Sequence, residues 1–303
     1  MRIVSFEEEG NTHFGALLPF GDLLVNFCHS SAGVAQPCYY EGWFDTDAEP
    51  LQQALALHDD LVADGADGQR LTKLKEAGGV LKKGNVCMLA PVPYPGKFLC
   101  IGLNYRDHAE ESGMAIPQEP VVFSKMNTAV TGPEAPVFLP LTSQKVDYEA
   151  ELAIVIGRRC RRVTKMEAMQ YVLGFTCVND VSARDLQERD GQWIRAKSLD
   201  SFGPMGESVV TLDEIPDPER LSIKFRLNGE TLQDSSTSQL IFGIAELVSF
   251  LSTDITLNPG DVISTGTPPG VGFARKPPIY LRDGDVMEVE IEGIGILRNP
   301  VKA

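Results

Sequence analysis

The chain has 303 residues, 43% of them hydrophobic, with 28 glycines and 20 prolines. That is enough for a sizeable core in one large domain, or in a large and a small one, and it argues against disorder. Lys and Arg total 27 against 42 Asp and Glu, for a net charge of -15, which speaks against nucleic acid or an anionic membrane as a partner. An anionic substrate must then be drawn in by local cations.

The six cysteines (Cys28, Cys38, Cys87, Cys100, Cys160 and Cys177) include no C-x-x-C pair, and most sit beside apolar residues, as free buried thiols in a reducing compartment do. No apolar run reaches the ~18 residues of a membrane span. The opening Met1-Arg2-Ile3-Val4-Ser5-Phe6, followed by Glu7, Glu8 and Glu9, reads as a strand and not as a signal or transit peptide. We therefore expect a cytoplasmic protein, with a mitochondrial location left open for a eukaryotic source.

Residues 1 to about 45 read as short strands, with turns at Glu9-Gly10-Asn11 and Pro19-Phe20-Gly21-Asp22. Asp47 is placed to cap a helix carrying Leu51, Leu55, Leu61 and Val62, and a second helix around Leu71 and Leu74 stops at Gly78-Gly79. The stiff stretch Pro91-Val92-Pro93-Tyr94-Pro95-Gly96 marks a boundary between a small N-terminal domain, 1–90, and a larger one, 95–303. His13, His29 and His58 lie in the small domain without neighbouring ligand types and read as structural.

Beyond the linker, Lys97 to Gly102 is a strand, and Leu103-Asn104-Tyr105-Arg106-Asp107-His108-Ala109-Glu110-Glu111 opens a helix. There His108 and Glu111 share a face, either as a surface pair or as a carboxylate-oriented general base. The polar stretch Ser112 to Pro120 has the composition of a lid, and Val121 to Lys125 is a strand ending in a cation.

The segment from Val146 to Gly157 is acidic in its first half and apolar in its second, and reads as one strand. Alternation puts Asp147, Glu149 and Glu151 on one face. Such carboxylates must protonate or share a cation unless the face is a solvated sheet edge. Asp180 ends the strand Gly174–Asn179, Ser182 is placed to cap the following helix, and Arg184 and Gln187 follow at helical spacing. Lys197 lies in a turn-rich segment. The remainder is largely β, with a hairpin at Leu227-Asn228-Gly229-Glu230, a short helix from Ile244 to Leu251, the rigid turn Gly266-Thr267-Pro268-Pro269-Gly270, and turns at Asp283-Gly284 and Glu292-Gly293.

If Glu149, Glu151 and Asp180 converge, their oxygens select a hard cation, Mg²⁺ or Mn²⁺ ahead of Ca²⁺ or Zn²⁺. A 2-oxo acid suits the coordination positions left over, and the ion would stabilise an enolate next to the keto carbon. Lys125, Arg184 and Lys197 can neutralise the remaining negative charge, and His108 with Glu111 can move a proton or activate water.

Four runs resemble the motifs of the fumarylacetoacetate hydrolase family, in family order. They are Gly102-Leu103-Asn104-Tyr105-Arg106-Asp107-His108, Asp147 to Gly157, Asn179 to Gln187, and Thr265-Gly266-Thr267-Pro268-Pro269-Gly270-Val271-Gly272. The likeness covers about residues 95 to 302 and is nearest to the branch acting on oxaloacetate and acylpyruvates. It implies an α+β fold, a mixed β-sandwich roll behind a small N-terminal α/β domain, in a homodimer.

The resemblance also implies a metal on Glu149, Glu151 and Asp180, a water-activating dyad of His108 and Glu111, and Lys197 facing the enolate oxygen. It makes Tyr105, Lys125, Arg184, Gln187 and Thr267 substrate contacts and leaves Asp147 behind the ligands. Fumarylacetoacetase itself carries a further metal-binding aspartate seven residues before its histidine; here that residue is Ile101, which points to the smaller-substrate branch. The implied reaction is C–C hydrolysis of an acylpyruvate or decarboxylation of oxaloacetate. The alternatives are oxaloacetate keto–enol tautomerisation, 2-hydroxyhepta-2,4-diene-1,7-dioate-type isomerisation, or a non-catalytic binder.

Overall fold

The computed structural model describes residues 1–35 and 43–303, so Cys38 lies outside the described residues. Among the described residues, eleven strands form one large sheet. Across it run Val80–Lys82, Leu23–Asn26, Asn11–Leu17, Arg2–Glu8, Val209–Thr211, Val172–Asn179, Ala150–Ile156, Val262–Ser264, Phe98–Gly102 and Val121–Lys125 in that order, with Cys87–Met88 pairing Arg2–Glu8. A smaller sheet of five is ordered Glu230–Ser236, Ser222–Leu227, Val286–Ile291, Gly295–Lys302, Val137–Phe138.

Ala150–Ile156 is buried at every position, which is why its sequence is a continuous apolar run: a strand covered on both faces has no solvent side to supply with polar residues. Leu152, Ile154 and Ile156 join a core with Phe225 and Val289 of the small sheet and Leu247 of the helix Ile244–Ser252. Ala153 and Val155 face the opposite core, with Phe14, Trp43, Leu57 and Leu61.

The first strand, Arg2–Glu8, hydrogen-bonds to Val209–Thr211, so the N-terminal strands extend the sheet that carries the candidate site. The expected boundary near residue 90 therefore falls inside a continuous sheet and a shared core. The chain is α+β, with few helices and many strands, as the family resemblance implies.

Three local expectations are corrected. Asp47 does not cap the helix Glu49–Asp64: its N-cap is Ala48, and the proline near its start presets the helical φ, leaving Asp47 to pair with Arg158. On that helix Leu51, Ala54, Leu57 and Leu61 are buried, whereas Val62 is exposed. Ser182 does not cap Arg184–Asp190 either; its hydroxyl donates back to the Asp180 carbonyl at 2.8 Å.

The third correction concerns the acidic strand, which is two strands. Val146–Asp147 pairs with Ser182–Ala183, and Ala150–Ile156 pairs with Val172–Asn179, with a break at Tyr148-Glu149. The expected hairpin at Asn228-Gly229 is present, both residues taking the positive φ that such a turn requires (53° and 83°).

Candidate active site

The break after Asp147 separates it from the two glutamates. Its Oδ1 accepts from the Gly272 and Tyr148 amides, and its Oδ2 accepts from the Phe273 amide and Arg184 Nε. Asp147 thus braces a turn and an arginine instead of facing Glu149 and Glu151. Those two, with Asp180, present one oxygen each within 4.8 Å of one another, and all three are buried.

Each is held from the backbone side. The Glu149 amide donates to Asn179 Oδ1 at 3.0 Å, and the Asp180 amide donates to the Glu149 carbonyl at 2.9 Å. Glu151 Oε2 accepts from Ser264 Oγ at 2.5 Å and the Gly266 amide at 2.9 Å.

Buried like charges are costly unless compensated. Burial pushes Glu151 well above the ordinary carboxylate range, and Asp180 and Glu149 add to it. Burial acts the same way on Glu149, but Lys197 and Arg184 outweigh it and bring that carboxyl down to about 2. Lys197 Nζ bridges Glu149 Oε2 and Asp180 Oδ2, both at 2.8 Å. Burial opposes the charge on Lys197, yet Asp180 and Glu149 raise it to about 12. Arg184 pairs with Glu149 at 2.6 Å while holding Asp147, and its guanidinium lies 4.5 Å from the Phe273 ring centroid.

His108 and Glu111 do meet: Nδ1 lies 3.2 Å from Glu111 Oε2. A carboxylate accepts, so it fixes the proton on Nδ1 and leaves Nε2 as the basic nitrogen. The Gly270 amide donates to Glu111 at 3.0 Å. Gly270 sits at φ +100°, and a Cβ there would lie 2.1 Å from the Leu232 carbonyl oxygen, so only glycine fits this turn.

A cavity of about 450 Å³ gathers His108, Glu149, Glu151, Arg184, Gln187, Lys197 and Thr267 in its wall, with Phe123, Trp193 and Phe273 as aromatic sides. Ile101 lines it as well, so that position presents an apolar side chain and not a fourth carboxylate. Asp180 is fully buried and reaches the trio from behind the wall.

Two of the expected contacts lie elsewhere. Lys125 is buried outside the wall, donating to the carbonyls of Val181, Lys197 and Phe202 and lying 2.6 Å from Asp180 Oδ1. Tyr105 is fully buried in the apolar core, its hydroxyl unpartnered and its phenol pushed up by burial.

Sequence reasoning missed Gln233. Its Oε1 accepts from the Ala150 amide, between the two glutamates, and its Nε2 donates to Thr267 Oγ1 and the Pro268 carbonyl, both at 2.8 Å. It ties the carboxylate strand to the Gly266–Gly270 turn from a position 83 residues beyond Ala150 and 34 before Thr267, and no local pattern signals that.

The donor set fits a divalent cation. It is all oxygen, buried and convergent, and Asp180 Oδ1 makes no hydrogen bond although Lys125 stands beside it. Fold and site together define a sheet-rich protein with a carboxylate trio able to hold a metal at the floor of a small cavity.

Residues 97–302 match the family model described as fumarylacetoacetate (FAA) hydrolase C-terminal, and the chain belongs to the fumarylacetoacetate hydrolase family. It is 46% identical over 224 residues to the mitochondrial oxaloacetate tautomerase fahd2 of Xenopus laevis, covering 73% of this chain and 70% of that one. Among solved structures it is similar to the fumarylacetoacetate hydrolase of Exiguobacterium antarcticum, with a TM-score of 0.82 and 35% identity over 100% of this chain and 99% of the other. It is also similar to 2-hydroxyhepta-2,4-diene-1,7-dioate isomerase from Mycobacterium marinum, with a TM-score of 0.74 and 34% identity over 100% and 98% of the two chains. Among the described residues no helix is long and apolar enough to cross a membrane.

Proposed function

We propose that the protein catalyses keto–enol tautomerisation of a small 2-oxo dicarboxylate, with oxaloacetate the first candidate. The observation that carries this reading is the presence in one cavity wall of His108, Lys197 and two of the three clustered carboxylates. That the 46% identical Xenopus laevis relative is named an oxaloacetate tautomerase supports it.

Glu149, Glu151 and Asp180 would hold the cation, Mg²⁺ or Mn²⁺ by the hardness of the donors. When bound, such an ion supplies Lewis-acid withdrawal that favours the enolic form. His108 Nε2 takes the proton from the carbon beside the keto group while solvent water supplies one to the keto oxygen, and in the reverse direction both protons are returned. Glu111 keeps the imidazole in the required tautomer. Lys197 Nζ faces the oxygen on which negative charge develops. Phe123, Trp193 and Phe273 limit water at the reacting carbon.

C–C hydrolysis is the second reading, because the same oriented imidazole can activate water. A single assay separates them: oxaloacetate or an acylpyruvate with Mg²⁺, followed by enol absorbance and by pyruvate formation. Accelerated enol decay without pyruvate is the expected result. Pyruvate in step with substrate loss means hydrolysis or decarboxylation and sinks the tautomerase reading. A homodimer belongs to the proposal, since Val121 and Val122 on an edge strand of the large sheet and Phe138 on an edge strand of the small one are exposed; light scattering giving a monomer mass would exclude it.

A further inference from the structure

The cations of the cavity are not equally engaged. Arg184 is occupied by Asp147 and Glu149, and Lys197 by Glu149 and Asp180. Lys145 also lines the cavity, is exposed, and among the described residues has no ion pair or side-chain hydrogen bond. Its carbonyl accepts from the Arg184 amide at 2.9 Å, which fixes its backbone beside the site.

Two further donors in the same wall are uncommitted. The Tyr280 hydroxyl has no partner among the described residues. Gln187 receives Arg184 Nη1 on its Oε1 at 3.1 Å, and because arginine only donates, that assignment turns the two N–H donors of the amide to other use. Three unpaired donors, one of them cationic, thus line the same cavity, with Glu188 as the opposing charge among them.

We propose that Lys145, assisted by Tyr280 and Gln187, binds the second carboxylate of a dicarboxylate substrate. The inference rests on the substrate being a small 2-oxo acid, and it adds how the cavity tells a dianion from a monoanion. One end of such a substrate occupies the carboxylate floor. The other carries a full negative charge that the chain's net charge of -15 repels, so a local cation has to receive it.

The test is calorimetric titration of the magnesium-loaded protein with succinate and with butyrate, which has the same number of carbons and one carboxylate fewer. The wild type is expected to bind succinate more tightly than butyrate. Lys145→Met is expected to weaken succinate about tenfold and to leave butyrate within about twofold, while Lys145→Arg keeps most of the preference. With oxaloacetate, the same Lys145→Met change raises KM about tenfold and leaves kcat within about twofold.

A wild type indifferent to the second carboxylate, or a Lys145→Met variant that weakens both ligands alike or neither, overturns the assignment. The titration needs no turnover. A wild type that binds succinate selectively but leaves oxaloacetate unchanged would therefore refute the reaction and not the role of Lys145.

Discussion

The floor and the mouth of the cavity are built on opposite terms. At the floor the Glu151 carboxylate accepts from Ser264 and the Gly266 amide, those of Glu149 and Asp180 are paired with Lys197, and the buried Lys125 has its own partners. At the mouth Lys145 and Tyr280 have none among the described residues, and Met114 is 57% exposed. The difference separates two tasks. A floor with no slack holds a charge constellation that no single side chain would tolerate when buried. A mouth with unused donors is where substrates can be sorted without disturbing that balance.

The sharpest way to break the contrast is at the floor. Asp180→Asn or Glu151→Gln is expected to remove Mg²⁺ binding by calorimetry and to lower kcat at least about a thousandfold. Chelation should reproduce the activity loss reversibly. Retained metal affinity in either variant would mean that the trio is not the ligand set. His108→Ala comes next, with kcat down about 10²- to 10⁴-fold and metal affinity unchanged, which separates proton transfer from metal holding.

Gln233→Leu should be milder. It strands the Ala150 amide and Thr267 hydroxyl in a buried setting, costing about 1–3 kcal/mol, so thermal unfolding should drop by several degrees and kcat by about tenfold. A stability loss without any kcat change would make Gln233 purely structural. At the mouth, Met114→Ser should alter kcat/KM by less than about threefold and leave the melting temperature unchanged. A large effect there would erase the distinction between the two regions.

Much of the floor was legible because its elements are local. Glu149 and Glu151 are two apart at the head of an apolar run, and His108 and Glu111 are three apart on a helix. What the sequence concealed depended on long-range packing. Alternation alone placed Asp147 beside the glutamates, where the family resemblance set it behind them; pairing with Ser182–Ala183 turns it toward Arg184 and the Gly272 turn. Tyr105 and Lys125 carry polar groups of the expected type, yet the fold draws one into the apolar core and sets the other behind Asp180. Gln233 has no neighbour in sequence to betray it. The fold class came with the family resemblance of the four motif runs, whereas the union of the N-terminal strands with the site-bearing sheet depends on the pairing of Arg2 with Val210.

That union has a practical consequence. Cutting the chain near residue 90 would not release a finished catalytic half; it would strip a pairing partner from Val209–Thr211 and lay Val155 and Leu173 open to water. The fragment is then a sticky, half-built sheet, and loss of solubility should be noticed before any loss of chemistry can be measured.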